Sequence, residues 1–196
     1  MRKILVTAVG SELGISVLKA LKFGLYDKEV FGTDIYNAVV GRGLVNEFFQ
    51  VPMAANEEKY LNTIRDIIKL NDIKYLIPIS DFEISLLAKH KDEFLKNFGC
   101  HVLINNAEEV DRFNDKWTSY LWYESHNINT PKSYLIEDST EFGEHLIGLG
   151  FPFILKPRIG GGSRGIYKIN NKQEFIKYAP LVLNPVAQEY LFPDNE

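Results

Sequence analysis

The stretch from 151 to 169, FPFILKPRIGGGSRGIYKI, places a cation next to a glycine-rich loop. Lys156 ends an apolar run that predicts a buried strand, and a buried ammonium is costly unless an anion meets it. Glycines let the backbone approach a ligand closely and point several N–H groups at one place. The loop contains Gly160, Gly161, Gly162, Ser163, Arg164 and Gly165. This combination favours a phosphate site; the alternative is a mobile hairpin beside a solvated lysine.

The order of the elements limits what kind of phosphate site this loop could form. The loop joins one predicted strand to another, whereas a Walker P-loop precedes a helix and has the order G-x-x-x-x-G-K-[ST]. A flap over nucleotide phosphates, as protein kinases use, is the closer physical analogue. Arg164 either adds a positive charge at the phosphates or only marks the surface of the flap.

Two further stretches could complete a nucleotide site. Lys116 lies at the start of a predicted helix, where the helix dipole disfavours a cation. Its side chain is therefore either solvated or directed at an anion. At the end of the last predicted strand, the sequence either forms an ordinary strand edge or presents Glu189 and backbone groups to an adenine. That stretch comprises Gln188, Glu189, Tyr190 and Leu191.

The N-terminal part imitates a dinucleotide site. A strand leads into a turn from Gly10 to Gly14 that contains Ser11, and a helix follows. Asp34 comes about 20 residues after this turn, as in the dinucleotide fingerprint. Glu12, however, stands where the middle glycine would let a pyrophosphate approach, and its charge opposes a phosphate. NAD(P) binding, another ligand-facing turn and a purely structural turn all stay open.

Three polar residues follow a predicted strand at 75–79, namely Ser80, Asp81 and Glu83. Open α/β sheets bind ligands beyond the carboxyl ends of their strands. By this argument, Asp81 or Glu83 contacts a substrate. The alternative is that Ser80 or Asp81 only caps the next helix.

The elements that must position these residues predict two domains, at 1–112 and 113–196. In the first, apolar strands alternate with amphipathic helices, which is typical of a doubly wound parallel sheet in an α/β protein. In the second, the order strand–helix–strand–strand–helix–strand predicts a small α+β unit. The predicted strands are 3–9, 30–33, 48–51, 75–79 and 102–104 in the first domain, and 132–136, 151–156, 166–169 and 186–191 in the second.

Composition excludes several classes of protein. The 196 residues include 22 basic and 26 acidic ones, a formal net charge of −4, whereas a nucleic-acid binder would show a basic excess. The single cysteine, Cys100, allows neither a disulfide framework nor a Cys-based metal site. The apolar run near the N-terminus is too short for a signal sequence or a membrane span. A cytoplasmic protein without a membrane partner is predicted.

Taken together, the motifs resemble the ATP-grasp superfamily, specifically the carbamoyl-phosphate-synthetase-like carboxylate–amine ligases. Asn114-Asp-Lys116 followed by Asn129-Thr-Pro131 is similar to the family's "DK … P" helix and turn. The stretch 151–165 is similar to its lysine before a glycine-rich flap, and 188–191 to its hinge strand. Over the whole chain, the first domain resembles the Rossmann-like pre-ATP-grasp domain. The second resembles the first ATP-grasp subdomain.

The resemblance implies ligase chemistry. ATP, with Mg²⁺, would phosphorylate a carboxylate to an acyl phosphate, which an amine or a similar nucleophile then attacks. Lys116 and Lys156 would contact the phosphates of ATP, the loop 160–165 would cover them, and 188–191 would contact adenine. Gly10, Ser11, Asp34, Ser80, Asp81 and Glu83 are candidate contacts for the substrate.

The resemblance also implies a truncated module. The family's metal ligands lie well downstream of the hinge strand, which would be beyond Glu196 in this chain. We therefore expect an inactive N-terminal fragment that holds neither catalytic nor metal-ligating residues. Its expected partners are nucleotide and small-molecule carboxylate and amine substrates, and a homodimer is a possible assembly. The rival interpretation is an NAD(P)-binding or non-catalytic Rossmann-type protein.

Overall fold

The chain divides into two compact units in the computed structural model, Met1–Val110 and Asp111–Glu196. The structure describes residues 2–138 and 142–192. In the first unit strands alternate with helices along the chain, and in the second a small sheet has helices between its strands. Apolar clusters fill the interior of each unit, so each has the core that a domain requires.

The first unit is built from strands β1 to β5 and helices α1 to α4, and α5 begins in it and ends in the second unit. The strands are β1 (Arg2–Val6), β2 (Lys28–Asp34), β3 (Glu47–Gln50), β4 (Tyr75–Ile77) and β5 (His101–Val102). The helices are α1 (Glu12–Phe23), α2 (Glu57–Asn71), α3 (Asp81–Lys89), α4 (Lys91–Phe98) and α5 (Ala107–Asn114), and a short 3₁₀ helix spans Val40–Leu44.

The strands of the first unit form one parallel sheet in the order β3-β2-β1-β4-β5. β1 lies at its centre, because Ile4 pairs with Val30 of β2 on one side and with Tyr75 of β4 on the other. The strand order reverses between β1 and β4, and open sheets bind ligands beyond the carboxyl ends of the strands at such a point. The predicted doubly wound parallel sheet is confirmed.

Apolar side chains cover both faces of this sheet. On one face, Leu5 and Phe31 pack with the buried side of α2, which includes Ile64. On the other, Val6 packs with Leu18 of α1. Burial on both faces is why these strands are continuous apolar runs rather than alternating ones.

The second unit contains helices α6 to α8 and strands β6 to β9. These elements are α6 (Lys116–Ser125), β6 (Ser133–Leu135), α7 (Glu144–Leu149), β7 (Phe153–Pro157), β8 (Tyr167–Ile169), α8 (Lys172–Tyr178) and β9 (Pro185–Glu189), with a 3₁₀ turn at Ala179–Leu181. The strands form an antiparallel sheet in the order β6-β9-β7-β8. The predicted α+β unit is confirmed.

The two faces of this second sheet differ. Phe153 and Leu155 of β7 are fully buried in a cluster with Phe175 of α8. Because side chains alternate along a strand, Lys156 lies on the opposite face. Gln188 of β9 is on that opposite face too, since it pairs with Ile154 of β7. The sheet therefore separates an apolar core from a face that carries polar groups.

Several predicted strands end earlier in the structure than expected. β1 was expected to reach Val9 but ends at Val6, because Ala8 has a φ of 47°, which no strand accommodates. The last strand was expected to reach Leu191 but ends at Glu189. The sequence also predicts a helix at 82–98 with a break near His90, and the structure confirms the break, since α3 and α4 meet there.

Across residues 2–138 and 142–192, the helices are all too short or too polar to cross a membrane.

Candidate functional site

Lys156 is half-buried on the polar face of the second sheet. Its Nζ donates a hydrogen bond to Oε1 of Gln188 at 2.6 Å. Burial lowers the pKa of Lys156, and the nearby charge of Lys116 lowers it further. The partner seen here is a neutral amide, so the ammonium keeps an unmatched positive charge.

Gln188 is itself held in one orientation. Its Nε2 donates to Oγ of Ser133 at 2.9 Å, and Ser133 is only 2% exposed. Ser133 in turn donates to the carbonyl of Pro131 at 3.1 Å. Since an amide has distinct donor and acceptor ends, these bonds keep the oxygen of Gln188 directed at Lys156.

Lys116 begins α6 and reaches the glycine-rich loop. Its Nζ donates to the carbonyl of Gly160 at 2.9 Å, and its backbone N–H donates to the carbonyl of Arg158 at 3.0 Å. Asp115 caps the helix by accepting from the N–H groups of Trp117 and Thr118. The lysine is thus directed at the loop, although its partner there is a backbone carbonyl.

The glycine-rich loop follows directly from β7 and is mostly exposed. Gly162 and Gly165 have φ values of 64° and 70°, in the left-handed region that favours glycine. Ser163 also has a positive φ, of 56°. Arg164 is exposed. The loop therefore uses its glycines for backbone conformations that place amides at the surface.

The chain after β9 carries the remaining residues of the predicted site. Glu189 accepts from the N–H of Lys132 through its carboxylate and donates its own N–H to the carbonyl of Lys132. The ring of Tyr190 lies under Nζ of Lys168, 4.0 Å from the centroid. Leu191 is exposed. The Glu189 side chain is thus tied to the start of β6.

In the first unit, the turn from Gly10 to Gly14 is held by hydrogen bonds within the protein. The N–H of Gly10 donates to Oδ2 of Asp34 at 2.8 Å, and the N–H of Tyr36 donates to Oδ1 at 3.0 Å. Ser11 caps α1 by accepting from the N–H of Gly14. Asp34 is 7% exposed, so its carboxylate lies largely inside the turn. This geometry favours the structural interpretation of the turn.

The second polar stretch of the first unit is a helix cap with a buried acid. Ser80 and Glu83 form a capping box at the start of α3. Glu83 is 5% exposed and accepts from the hydroxyls of Thr7 at 2.7 Å and Tyr60 at 2.9 Å. Burial raises the pKa of Glu83 and these hydrogen bonds lower it, with a net upward shift. The pKa of Tyr60 is also raised, chiefly by burial. Asp81 is exposed.

Comparison with known families finds a separate match in each of the two units. The family model described as the PylC-like N-terminal domain matches residues 4–103, and a model for the ATP-grasp domain matches residues 113–194. The chain belongs to the ATP-grasp superfamily. The resemblance found in the sequence is therefore confirmed, and the family is one of ligases.

Solved ATP-grasp structures share the fold across almost the whole chain. N5-carboxyaminoimidazole synthetase from Staphylococcus aureus complexed with ADP has a TM-score of 0.71 and 23% identity, covering 97% of this chain and 48% of that one. L-amino acid ligase from Bacillus licheniformis has a TM-score of 0.71 and 11% identity, covering 97% and 44%. At these identities the likeness shows the fold. The chain spans about half the length of these structures.

One curated relative is more similar over a shorter stretch. D-alanine–D-alanine ligase of Nitrosomonas europaea is 34% identical over 61 residues, which is 31% of this chain and 20% of that protein. The match thus covers a small part of a longer ligase.

The donor set of the ATP-grasp unit suits an anion better than Mg²⁺. The groups that converge are the ammoniums of Lys116 and Lys156, whereas Mg²⁺ prefers carboxylate and water oxygens. Both oxygens of Asp115, which directly precedes Lys116, accept from Arg158 at 2.8 and 2.7 Å. Across the described ranges, no group of three or more His, Cys, Asp and Glu side chains could hold a metal ion. The site described here does not fit Mg²⁺.

The sequence interpretation missed the ion pair between Asp115 and Arg158. Burial raises the pKa of Asp115, but the hydrogen bonds from Arg158 and from two helix N–H groups outweigh it, so the net shift is downward. Each partner lies within two residues of a predicted nucleotide lysine. This closeness in sequence to the lysines was the available signal, but only the fold shows that Asp115 and Arg158 contact each other.

Proposed function

We propose that Lys116, Lys156 and the loop 160–165 bind the phosphate groups of ATP. The observation that carries this is that both ammoniums donate to neutral partners, one in the glycine-rich loop and one on the polar face of the sheet. Lys116 lies close enough to lower the pKa of Lys156, and the two ammoniums donate to a carbonyl and an amide. Like charges held near each other are unfavourable, and a polyphosphate would neutralise both.

The adenine end of the proposed site lies at the end of β9. Gln188 presents a fixed oxygen near Lys156, and the backbone leaves the sheet directly after Glu189. A purine edge needs both hydrogen-bond donors and acceptors, and backbone groups beyond a strand end supply them. We propose that this segment contacts the base while the lysines contact the phosphates.

For the whole protein we propose activation of a carboxylate by ATP as an acyl phosphate, followed by attack of an amine or a similar nucleophile. The support is family membership and the two ligases named above. Positioning and charge neutralisation by the two lysines would supply this unit's part of the catalysis. Gly10, Ser11 and the exposed Asp81 stay candidates for contacts with the substrate.

We further propose that these 196 residues alone bind ATP without turning it over. The metal ligands that the resemblance implies would lie in the half of the neighbours' length that this chain does not span. A cytoplasmic location and a homodimer stay predictions. The NAD(P) alternative is less favoured, because Asp34 already accepts two backbone N–H groups.

The test is isothermal titration of the 196-residue chain with ATP, ADP and NADH. We expect ATP to bind, NADH not to bind, and Lys156→Ala to weaken ATP binding by about 100-fold, since it removes a charge-assisted contact from a partly buried site. Lys177→Ala is the matched control, because Lys177 is exposed at the end of α8. Binding of NADH but not ATP, or equal loss in both variants, would overturn the proposal.

A further inference from the structure

An ion pair joins the two segments that carry the lysines of the proposed site. Arg158 follows Lys156 by two positions, and Asp115 immediately precedes Lys116. Nε of Arg158 lies 2.8 Å from Oδ1 and 2.7 Å from Oδ2 of Asp115, although the two residues are 43 positions apart. The pair therefore connects the end of β7 to the start of α6.

The backbone forms the same connection. The N–H of Lys116 donates to the carbonyl of Arg158 at 3.0 Å, and Asp115 forms an isolated antiparallel bridge with Ile159. Lys116 then reaches one residue further, to the carbonyl of Gly160. The start of α6 and the entrance of the glycine-rich loop thus lie side by side, and the ion pair between Asp115 and Arg158 joins them.

Asp115 has two tasks at this point. Its carboxylate accepts from the first N–H groups of α6, so it fixes where the helix begins. It also accepts from Arg158, so it fixes where that helix end lies relative to the loop. Asp115 is only 9% exposed, which limits the screening that weakens surface ion pairs.

We infer that Asp115 and Arg158 are positioning residues of the phosphate site: they hold Lys116 and the loop entrance in register without contacting the nucleotide. The inference rests on the proposed function for its ligand. The guanidinium of Arg158 is directed at Asp115 through Nε, and both carboxylate oxygens accept from it. The competing role for Arg158 is a direct bond to a phosphate, which would require it to leave Asp115.

The two roles predict opposite results for Asp115→Asn. Asparagine caps helices about as well as aspartate, so this variant removes the ion pair and keeps the cap. If the pair positions the site, Asp115→Asn and Arg158→Gln each weaken ATP binding by about tenfold, and the double variant is no weaker than either single one. If Arg158 binds phosphate directly, Asp115→Asn leaves the affinity unchanged or strengthens it, and the inference is wrong.

A matched control comes from the first unit. Arg65 and Glu93 also form an ion pair between an arginine and a carboxylate, here with two nitrogens donating, Nε–Oε1 at 2.7 Å and Nη2–Oε2 at 2.9 Å. Arg65→Gln should leave ATP affinity unchanged. A loss of affinity equal to that in Arg158→Gln would point to a general loss of structure and overturn the inference. Arg158→Lys, which keeps the charge but not the planar fork, should restore part of the affinity lost in Arg158→Gln.

A second readout needs no nucleotide and separates this inference from the proposed function. Hydrogen exchange at the amide of Lys116, which donates to the carbonyl of Arg158, should accelerate in Asp115→Asn and Arg158→Gln but not in Arg65→Gln. Accelerated exchange in a chain that does not bind ATP would reject the proposed function and leave the positioning role standing. Unchanged exchange together with unchanged ATP affinity would reject the positioning role and leave the nucleotide site standing.

Discussion

The carboxylate of Glu83 in the first unit and the ammonium of Lys156 in the second are both withdrawn from water, but their surroundings differ. Glu83 is 5% exposed and accepts from Thr7 and Tyr60, which are parts of the fold. Lys156 is half-buried, next to a second lysine and an exposed loop. The first charge completes an internal network, and the second remains available to a ligand.

The glycines of the two units differ in the same way. A Cβ at Gly14 would lie 2.4 Å from the carbonyl oxygen of Ala8, so this glycine lets α1 approach the end of β1 closely. A Cβ at Gly162 would meet only Arg164 Nε, at 3.8 Å, and its need for glycine comes from a φ of 64°. Glycine in the first unit serves packing, whereas in the second it serves the path of an exposed loop. A glycine-rich sequence therefore does not by itself identify a ligand site.

The strongest test of this contrast is Glu83→Ala. It leaves two buried hydroxyls without their acceptor and removes half of a capping box, so we expect the free energy of unfolding to fall by about 3 kcal/mol. Urea unfolding followed by circular dichroism measures this change. Asp81→Ala, on the exposed neighbour, should cost less than about 0.5 kcal/mol. If both variants unfold at the wild-type urea concentration, Glu83 is not part of a stabilising network.

A smaller effect is expected from the two glycines. Gly14→Ala should lower the free energy of unfolding by about 2 kcal/mol, because its Cβ overlaps a backbone oxygen and the helix must shift. Gly162→Ala should lower it by about 1 kcal/mol, the cost of a left-handed alanine, while weakening ATP binding more than Gly14→Ala does. Thermal unfolding and titration with ATP on the same samples measure both quantities.

Gly43→Ala is the matched control for the packing argument, since a Cβ there would have nothing within 4 Å among the residues that the structure describes. It should leave both stability and binding unchanged. If Gly162→Ala binds ATP as tightly as the wild type, the loop conformation seen here is not required by the nucleotide.

The features that the sequence predicted correctly are local, and those it missed are long-range. Alternating strands and helices follow from apolar periodicity, and Lys156 with its glycines follows from residue type and order. Thr7 and Glu83 are 76 positions apart, so no local pattern shows that they meet. Asp115 and Arg158 are likewise joined only by the fold. Even the end of β1 depends on a positive φ at Ala8, a residue whose type does not predict it.

The smallest effect we predict is the dependence of stability on the titration of Glu83. Burial raises the pKa of Glu83, and the hydrogen bonds from Thr7, Tyr60 and Ser80 lower it. The pH dependence of stability that Glu83 causes therefore depends only on the difference between these two opposing effects. Because the net shift is upward, the folded state binds the proton more tightly than the unfolded state does. The stabilisation is therefore complete below the unfolded pKa of about 4.5 and is lost as the pH rises through the folded value.

This prediction is tested against Glu83→Gln, which removes the titration and keeps an oxygen to accept a hydroxyl. The difference in the free energy of unfolding, wild type minus variant, should decrease from pH 4 to pH 8 in urea titrations. The other titrating groups, including Glu93 with its pKa lowered to about 2, are present in both proteins and cancel. A difference that rises with pH would mean that Glu83 is stabilised as an anion. The hydrogen bonds from Thr7, Tyr60 and Ser80 would then outweigh the effect of burial, and the upward direction of the pKa shift would be wrong.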